Sequence, residues 1–210
     1  MPRILNLHPD NPQARLIAQA VEVIQRGGVL ALPTDSGYAL GCALGDKAAM
    51  ERIRALRGLD DKHFFTLMVR DLSEVAVYAR VDNVAYRFLR QYTPGAYTFI
   101  LPASHEAPRR LLHPKRKTVG LRVPQHPLTQ MLLAALGEPL LSSSLILSGQ
   151  SEPLCDPDEI KVALGKRVDL ILDVGYCADQ PTTVIDMAGD AMLLVRKGRG
   201  SVPPGLDEDE

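Results

Sequence analysis

The chain is most constrained by the stretch Gly28-Val29-Leu30-Ala31-Leu32-Pro33-Thr34-Asp35-Ser36-Gly37-Tyr38-Ala39-Leu40-Gly41. An apolar run, Val29 to Leu32, has the length of a buried strand and stops at a proline. Hydroxyls, a carboxylate and a phenol then crowd into a glycine-bounded turn, and Asp46 is placed to open the next helix. Strand ends of this kind hold backbone N–H groups and hydroxyls at the rim of a sheet, where open α/β folds bind ligands. The same residues also suit a tight connection in which Thr34 and Asp35 cap only their own backbone. The turn alone admits both readings.

Around it, apolar spacing alternates between helix and strand periods. Asn11-Pro12 reads as an N-cap and first-turn pair for a helix carrying Leu16, Ile17, Ala20, Val21 and Ile24, closed by Gly27-Gly28. A second helix fits Asp46 to Leu56, with Ala49, Met50, Ile53 and Leu56 on one face. Phe64 to Val69 reads as a buried strand. Helices follow at Leu72–Tyr78 and Asn83–Tyr92, then strands at Tyr97–Leu101 and Thr118–Val123. A helix over Leu128–Leu136 stops at Gly137, and Leu140 to Leu147 is extended. Pro157 after Asp156 starts a helix over Asp158–Leu164, and Leu170–Val174, Thr183–Met187 and Met192–Arg196 supply late strands. Helices and strands alternate early and strands cluster late. This pattern predicts an α/β (α+β) fold, a twisted, mixed sheet with helices on its faces, in a single domain over residues 1–200. Residues 201–210, rich in proline, glycine and acid, predict a frayed, disordered tail.

Charge and cysteine usage narrow the partners. The net charge of −1 includes four acidic residues at the end, Asp207 to Glu210, so the remainder is mildly basic, at about +3. That balance disfavours a strong non-specific nucleic-acid binder and leaves room for a local basic cleft. Cys42, Cys155 and Cys177 show neither CxxC nor zinc spacing and read as reduced, buried thiols in a cytoplasmic protein. No apolar run approaches membrane-spanning length, and no signal-peptide core opens the chain. The absence of a long apolar surface helix leans toward a monomer.

Chemistry gathers elsewhere. His8, His63, His105, His113 and His126 are scattered, with no HxH or HxxxH pair to build a metal site. GxSxG, a P-loop and GxGxxG are all missing. What recurs is a hydroxyl cluster at a strand end: Pro33-Thr34-Asp35-Ser36, Pro94-Gly95-Ala96-Tyr97-Thr98, Leu141-Ser142-Ser143-Ser144 and Pro181-Thr182-Thr183-Val184-Ile185-Asp186. Beside these stand Arg57, Arg70, Arg122 and Arg196. A guanidinium fork binds two oxygens of a carboxylate or phosphate at once, and hydroxyls complete the coordination without adding charge. Four such clusters point to one cleft for an anionic ligand. The run Arg109-Arg110-Leu111-Leu112-His113-Pro114-Lys115-Arg116-Lys117 either tracks a phosphate backbone or forms an exposed loop offset by the acidic tail. Aromatic residues are few and not interleaved with the basic ones, which argues against base-stacking recognition of single strands.

In order along the chain, these motifs resemble the YrdC/YciO family, which includes the threonylcarbamoyladenylate synthases. The carriers are Pro33 to Gly41, Pro94 to Thr98, Leu121-Arg122-Val123-Pro124, Ser144 to Gly149, and Thr182 to Asp186 followed by Arg196-Lys197-Gly198. Asn11-Pro12-Gln13, Asp35 to Cys42 and Arg109 to Leu112 resemble its YciO branch. The resemblance implies a twisted open sheet around a concave basic cavity. It implies that threonine, bicarbonate and ATP with Mg²⁺ are joined to threonylcarbamoyl-AMP for tRNA adenosine modification. It also implies an alternative, a non-catalytic member binding double-stranded RNA or tRNA. Carried over by position, threonine lies near Thr34, Ser36, Tyr38, Arg122, Ser144 and Thr183. The nucleotide approaches Arg57, Arg70, Thr98, Ser148 and Arg196, with Arg57 the catalytic cation. Three departures stand out. The synthases' Lys-x-Arg pair is here Arg57-Gly58-Leu59, their Ser-x-Asn element is Ser144-Leu145-Ile146, and Arg70 stands where they carry histidine.

Overall fold

A computed structural model describes residues 3–60 and 65–206. In chain order the elements are β1 (Arg3–Asn6), α1 (Ala14–Gln25), β2 (Leu30–Thr34), β3 (Gly37–Ala43), α2 (Lys47–Arg57), β4 (Thr66–Met68), α3 (Leu72–Tyr78), α4 (Asn83–Tyr92), β5 (Tyr97–Pro102), β6 (Thr118–Arg122), α5 (Pro127–Leu136), β7 (Leu140–Ser144), α6 (Pro157–Leu164), β8 (Leu170–Asp173), β9 (Thr183–Asp186) and β10 (Leu193–Arg196). All strands join one ten-stranded sheet in the order β1-β8-β2-β3-β7-β4-β6-β5-β9-β10. Parallel pairs (β1–β8, β2–β8, β4–β6, β5–β9) mix with antiparallel ones, as the alternation of elements predicts. Among the described residues no helix is long and apolar enough to cross a membrane.

Helix ends follow their capping chemistry. The Asp46 carboxylate accepts from the Ala49 amide at 2.9 Å and opens α2. Asp156 caps α6 with Pro157 in its first turn, and Gly137, in the left-handed region, ends α5. A carboxylate at the N-cap satisfies an otherwise orphaned amide and faces the positive end of the helix dipole. The first helix departs from the expectation built on Asn11-Pro12: it starts at Ala14 with Gln13 as cap residue. His8 Nδ1 accepts from the Asp10 and Asn11 amides, so that segment is already folded into its own turn.

Strand alternation sorts the core. Successive side chains point to opposite faces. Val29, Ala31, Leu40, Leu67, Phe99, Leu101, Val119, Leu121, Leu141 and Ile185 pack on one face, with α2, α3, α4 and α6. The other face carries Leu30, Leu32, Ala39, Met68, Leu140, Leu170 and Leu172 under α1 and α5. Those two helices cover only part of it. Past Met68, the same face of β4, β6, β5 and β9 carries Thr66, Gly120, Thr98 and Val184, which line a cavity.

Other differences from expectation have local reasons. β2 does not stop at Pro33: that residue pairs with Tyr38 of β3, while β8 pairs with β2 only at Leu30 and Ala31. Beyond the reach of β8, a missing N–H costs no ladder bond on that side. The expected turn is therefore a hairpin, with Asp35 and Ser36 as its two-residue loop. Gly37 follows with φ of 111°, and a Cβ there would lie 2.7 Å from the Ala178 carbonyl. β1, a four-residue edge strand, adds to the expected elements. The strand expected from Phe64 begins at Thr66, Phe64 itself lying outside the described residues. Residues 201–206 are tied down, in contrast to the frayed tail expected from Ser201. The Tyr97 hydroxyl donates to the Ser201 carbonyl at 2.9 Å, and Leu206 packs against the core. Residues 207–210 lie outside the described residues.

Candidate functional site

The cavity has a volume of about 270 Å³, near the small end of the range for ligand pockets. Its floor is the alternate residues of the central strands: Thr66 and Met68, Gly120 and Arg122, Thr98 and Ile100. Ser142, Ser143, Ser144 and Ile146 line it from β7 onward, Thr182 and Val184 from β9, and Arg196 from β10. Arg57 reaches it from the C-terminal end of α2.

Each cation there is held differently. Arg57 donates from Nε to the Ile146 carbonyl at 3.1 Å and from Nη1 to Ser143 Oγ at 2.5 Å. Burial, and then the positive charge of Arg196, lower its pKa. Arg196 donates to the Thr182 carbonyl at 3.0 and 3.2 Å and to Thr182 Oγ1 at 3.3 Å. Thr182 Oγ1 lies 2.8 Å from Thr98 Oγ1. Arg122 is 6% exposed and ion-paired with Asp35, and it also donates to Thr34 Oγ1 at 3.1 Å. Its Nε is buried without a hydrogen-bond partner among the described residues. Burial lowers its pKa and Asp35 pulls the other way. Asp35 accepts also from the Gln125 amide at 3.0 Å, so the hairpin loop is knotted to the segment that leaves β6.

The structure brings Arg57, Thr98, Arg122, Ser144 and Arg196 together around the cavity, as the sequence suggests. Thr34 and Ser36 stand one layer behind: their hydroxyls lie 3.2 Å apart, and Thr34 donates to the Gly37 carbonyl at 2.6 Å. Four more expected residues, besides Thr34 and Ser36, do not line the cavity. Tyr38 faces the opposite side of β3, where its hydroxyl donates to the Gly175 carbonyl at 3.0 Å and burial raises its pKa. Thr183 is also of the wrong parity: it donates to the Gly200 carbonyl at 2.5 Å and accepts from the Gly198 amide at 3.0 Å. Arg70 is exposed and directs its charge to Asp71 at 3.1 Å and Glu74 at 3.4 Å. Ser148 is exposed and sits against Gly58, whose φ is 63° and whose Cβ would fall 2.3 Å from Ser148 Oγ.

The site also has members that motif reading passed over. Arg116 and His113, from the basic run, line the cavity. Arg116 is offset by Asp186, at 2.6 and 2.9 Å in a two-point ion pair; the acidic tail expected to offset the run lies outside the described residues. Thr66, Thr118 and Thr182 supply further hydroxyls. Strand parity was the available signal: Thr182 shares a face with Val184 and Asp186, and Thr183 cannot.

No carboxylate lines the cavity, and no cluster of three metal-ligating side chains occurs among the described residues. Among the described residues the lining offers no carboxylate to Mg²⁺, which prefers carboxylate and phosphate oxygens. The chemistry available is anion binding, charge neutralisation and positioning by fixed donors.

Comparison with known proteins agrees with this geometry. Residues 22–198 match the Sua5/YciO/YrdC family model, described as "Telomere recombination". The chain is 57% identical to the YciO protein of Escherichia coli (strain K12) over 206 residues, covering 98% of this chain and 100% of that one. The crystal structure of E. coli YciO superposes with a TM-score of 0.93, covering 97% of this chain and 99% of that one. A threonylcarbamoyl-AMP synthase of Chromohalobacter salexigens is 33% identical over 180 residues, 84% of this chain and 95% of that protein. Sua5 of P. abyssi, crystallised with L-threonine, shares the fold at 24% identity and a TM-score of 0.85, covering 93% of this chain and 57% of that one. Sequence, motif order and the shape of the sheet agree: the chain belongs to the Sua5/YciO/YrdC family.

Proposed function

We propose that the cavity binds ATP and a small amino acid, threonine first, and joins them as threonylcarbamoyl-AMP. The observation that carries this is the convergence of Arg57, Arg122 and Arg196 on one hydroxyl-lined cavity without a carboxylate in its lining. Three guanidiniums in partly dry surroundings favour a ligand with several anionic groups. The relatives named threonylcarbamoyl-AMP synthase support the choice of reaction, and the threonine bound to P. abyssi Sua5 supports the amino acid.

The chemistry needs no protein nucleophile. Threonine's amine takes up bicarbonate to give a carbamate, with loss of water. A carbamate oxygen then attacks the α-phosphorus of ATP, and the bond to pyrophosphate breaks. Arg122, at the cavity floor, suits the amino-acid carboxylate. Arg57 and Arg196 neutralise phosphate oxygens where negative charge builds, and Thr98 and Thr182 orient them. Positioning and preorganised donors supply the acceleration. Ile146 replaces an amide of the synthases with apolar surface, and Leu59 replaces a cation. A charged hydrogen bond contributes about 1.5–3 kcal/mol, so a slower enzyme than those relatives is expected. Purified protein with threonine, bicarbonate, Mg²⁺ and ATP should release pyrophosphate only when threonine is present. No release above a blank overturns the reading.

The segment beside the cavity favours a second reading. Arg109, Arg110, Lys115 and Lys117 are exposed, and with the cavity they form a basic surface for an RNA backbone. Binding of tRNA or a double-stranded RNA that weakens steeply with salt supports it, and salt-insensitive or absent binding contradicts it.

A further inference from the structure

Two arginine stations stand along one wall of the cavity, and their electrostatics differ. Arg196 donates to Thr182 and Arg116 to Asp186. Thr182 immediately precedes β9 and Asp186 ends it, and four residues of extended chain span about 13 Å. At the Thr182 station the acceptors are neutral, and the charge of Arg196 reaches Arg57. That end attracts anions. At the Asp186 station the carboxylate cancels the guanidinium charge at 2.6 and 2.9 Å. A cancelled charge has little to offer a phosphate. It still leaves N–H donors, because the two-point contact occupies one hydrogen on each of two nitrogens and a guanidinium carries five.

Asp186 itself is anchored. It accepts from the Ala188 amide at 3.0 Å, and its side chain is 7% exposed while that of Arg116 is 47% exposed. The carboxylate is therefore the fixed member and sets the plane of the guanidinium. No other protein acceptor engages the Arg116 side chain among the described residues, and the residue lines the cavity next to Thr118 and Gly120. Gly120 contributes no side chain to the floor, where a Cβ would already be in van der Waals contact with Thr66 Oγ1 at 3.5 Å. The result is a planar, oriented, neutral donor set in a cavity whose floor has a glycine among its lining residues. Such a set suits ring nitrogens and carbonyl oxygens, or stacking by a flat ring.

Resting on the nucleotide reading above, we infer that Arg116, locked by Asp186, is a specificity-determining residue that receives the nucleobase while Arg57 and Arg196 receive the phosphates. The spacing of the two stations is of the order of the reach from a nucleotide's phosphates to its base.

Calorimetric titration of the full chain with ATP and with inorganic tripolyphosphate tests this division. Arg116→Ala should weaken ATP binding about tenfold and leave tripolyphosphate within about twofold. Asp186→Asn should weaken ATP in the same direction, and Arg116→Lys should not restore it, since an ammonium cannot hold the fork. Retained melting temperature in Arg116→Ala, an exposed position, separates a missing donor from an unfolded chain. Unchanged ATP binding in Arg116→Ala overturns the inference. So does an equal weakening of tripolyphosphate, which would make Arg116 a phosphate ligand. If the unaltered protein binds tripolyphosphate as tightly as ATP, no base is read: this inference falls and the anionic cavity stands. If it binds neither, the nucleotide reading falls and takes the inference with it.

Discussion

Two arginine–aspartate pairs serve the same cavity and are built for different ends. Arg122 is buried and Asp35 mostly so, at 6% and 14% side-chain exposure, and they join the β2–β3 hairpin loop to the end of β6. Arg116 and Asp186 join a surface loop to β9, with the arginine half in water. Where both partners are dry, the pair belongs to the architecture, and removing one charge strands the other. Where one partner is wet, removal costs little stability, and the donors left over are available to a ligand. The comparison separates a pair whose removal disturbs the frame of the site, Arg122 also edging the cavity, from a pair whose removal disturbs only what enters it.

The sharpest way to break that distinction is Asp35→Ala. It leaves Arg122 buried beside an Nε that already lacks a partner. Losing one member of a buried pair typically costs about 3–5 kcal/mol, and chemical denaturation should show a loss of that size. A loss below about 1 kcal/mol would place Asp35 among the wet pairs. Next in size is Arg196→Ala, read in binding. Removing one charge-assisted hydrogen bond corresponds to about 1.5–3 kcal/mol, or roughly 10–100-fold in ATP affinity by titration, with little change in melting temperature.

A pH dependence belongs to the buried end as well. Cys177 lies beside Tyr38, behind the hairpin, and burial pushes its thiol up to about 11; burial and Asp46 push Cys42 up to about 12. In the unfolded chain these thiols ionise near pH 9, and the folded ones stay protonated. Their stabilising effect is thus complete below about pH 9 and is lost as pH rises through 11 to 12. Each should contribute a loss of about 1.4 kcal/mol by pH 10, and Cys177→Ala should remove its share from a denaturation series across pH 8–10. The smallest effect expected is that of Arg116→Ala on stability, about 1 kcal/mol or less. A larger loss would erase the contrast between the two pairs.

Much of this architecture is legible before any coordinates. α3 and α4 fall at the expected Leu72–Tyr78 and Asn83–Tyr92, and Asp46 and Asp156 cap as their positions suggest. Local signals fail where nonlocal pairing decides. Pro33 looks like a strand stop until β8 is known to pair no further than Ala31. The site is legible as a set of segments and less so as a set of side chains. Tyr38 and Thr183 belong to the right strands but point to the core face, and Ala39 and Thr182 point to the cavity. A motif names a strand, and only alternation against a known core tells which neighbour faces the ligand. Arg116 escapes notice for another reason: its partner, Asp186, is 70 residues away, so the basic run around it reads as either a phosphate track or an exposed loop.

Whether this cavity takes ATP and threonine together is decided by calorimetry of the unaltered chain with each ligand and with both. Saturable Mg·ATP binding is expected, abolished or weakened at least tenfold by Arg57→Ala and by Arg196→Ala, together with threonine binding that Arg122→Lys weakens. Heats no larger than dilution for both ligands, in protein that unfolds cooperatively, would contradict it.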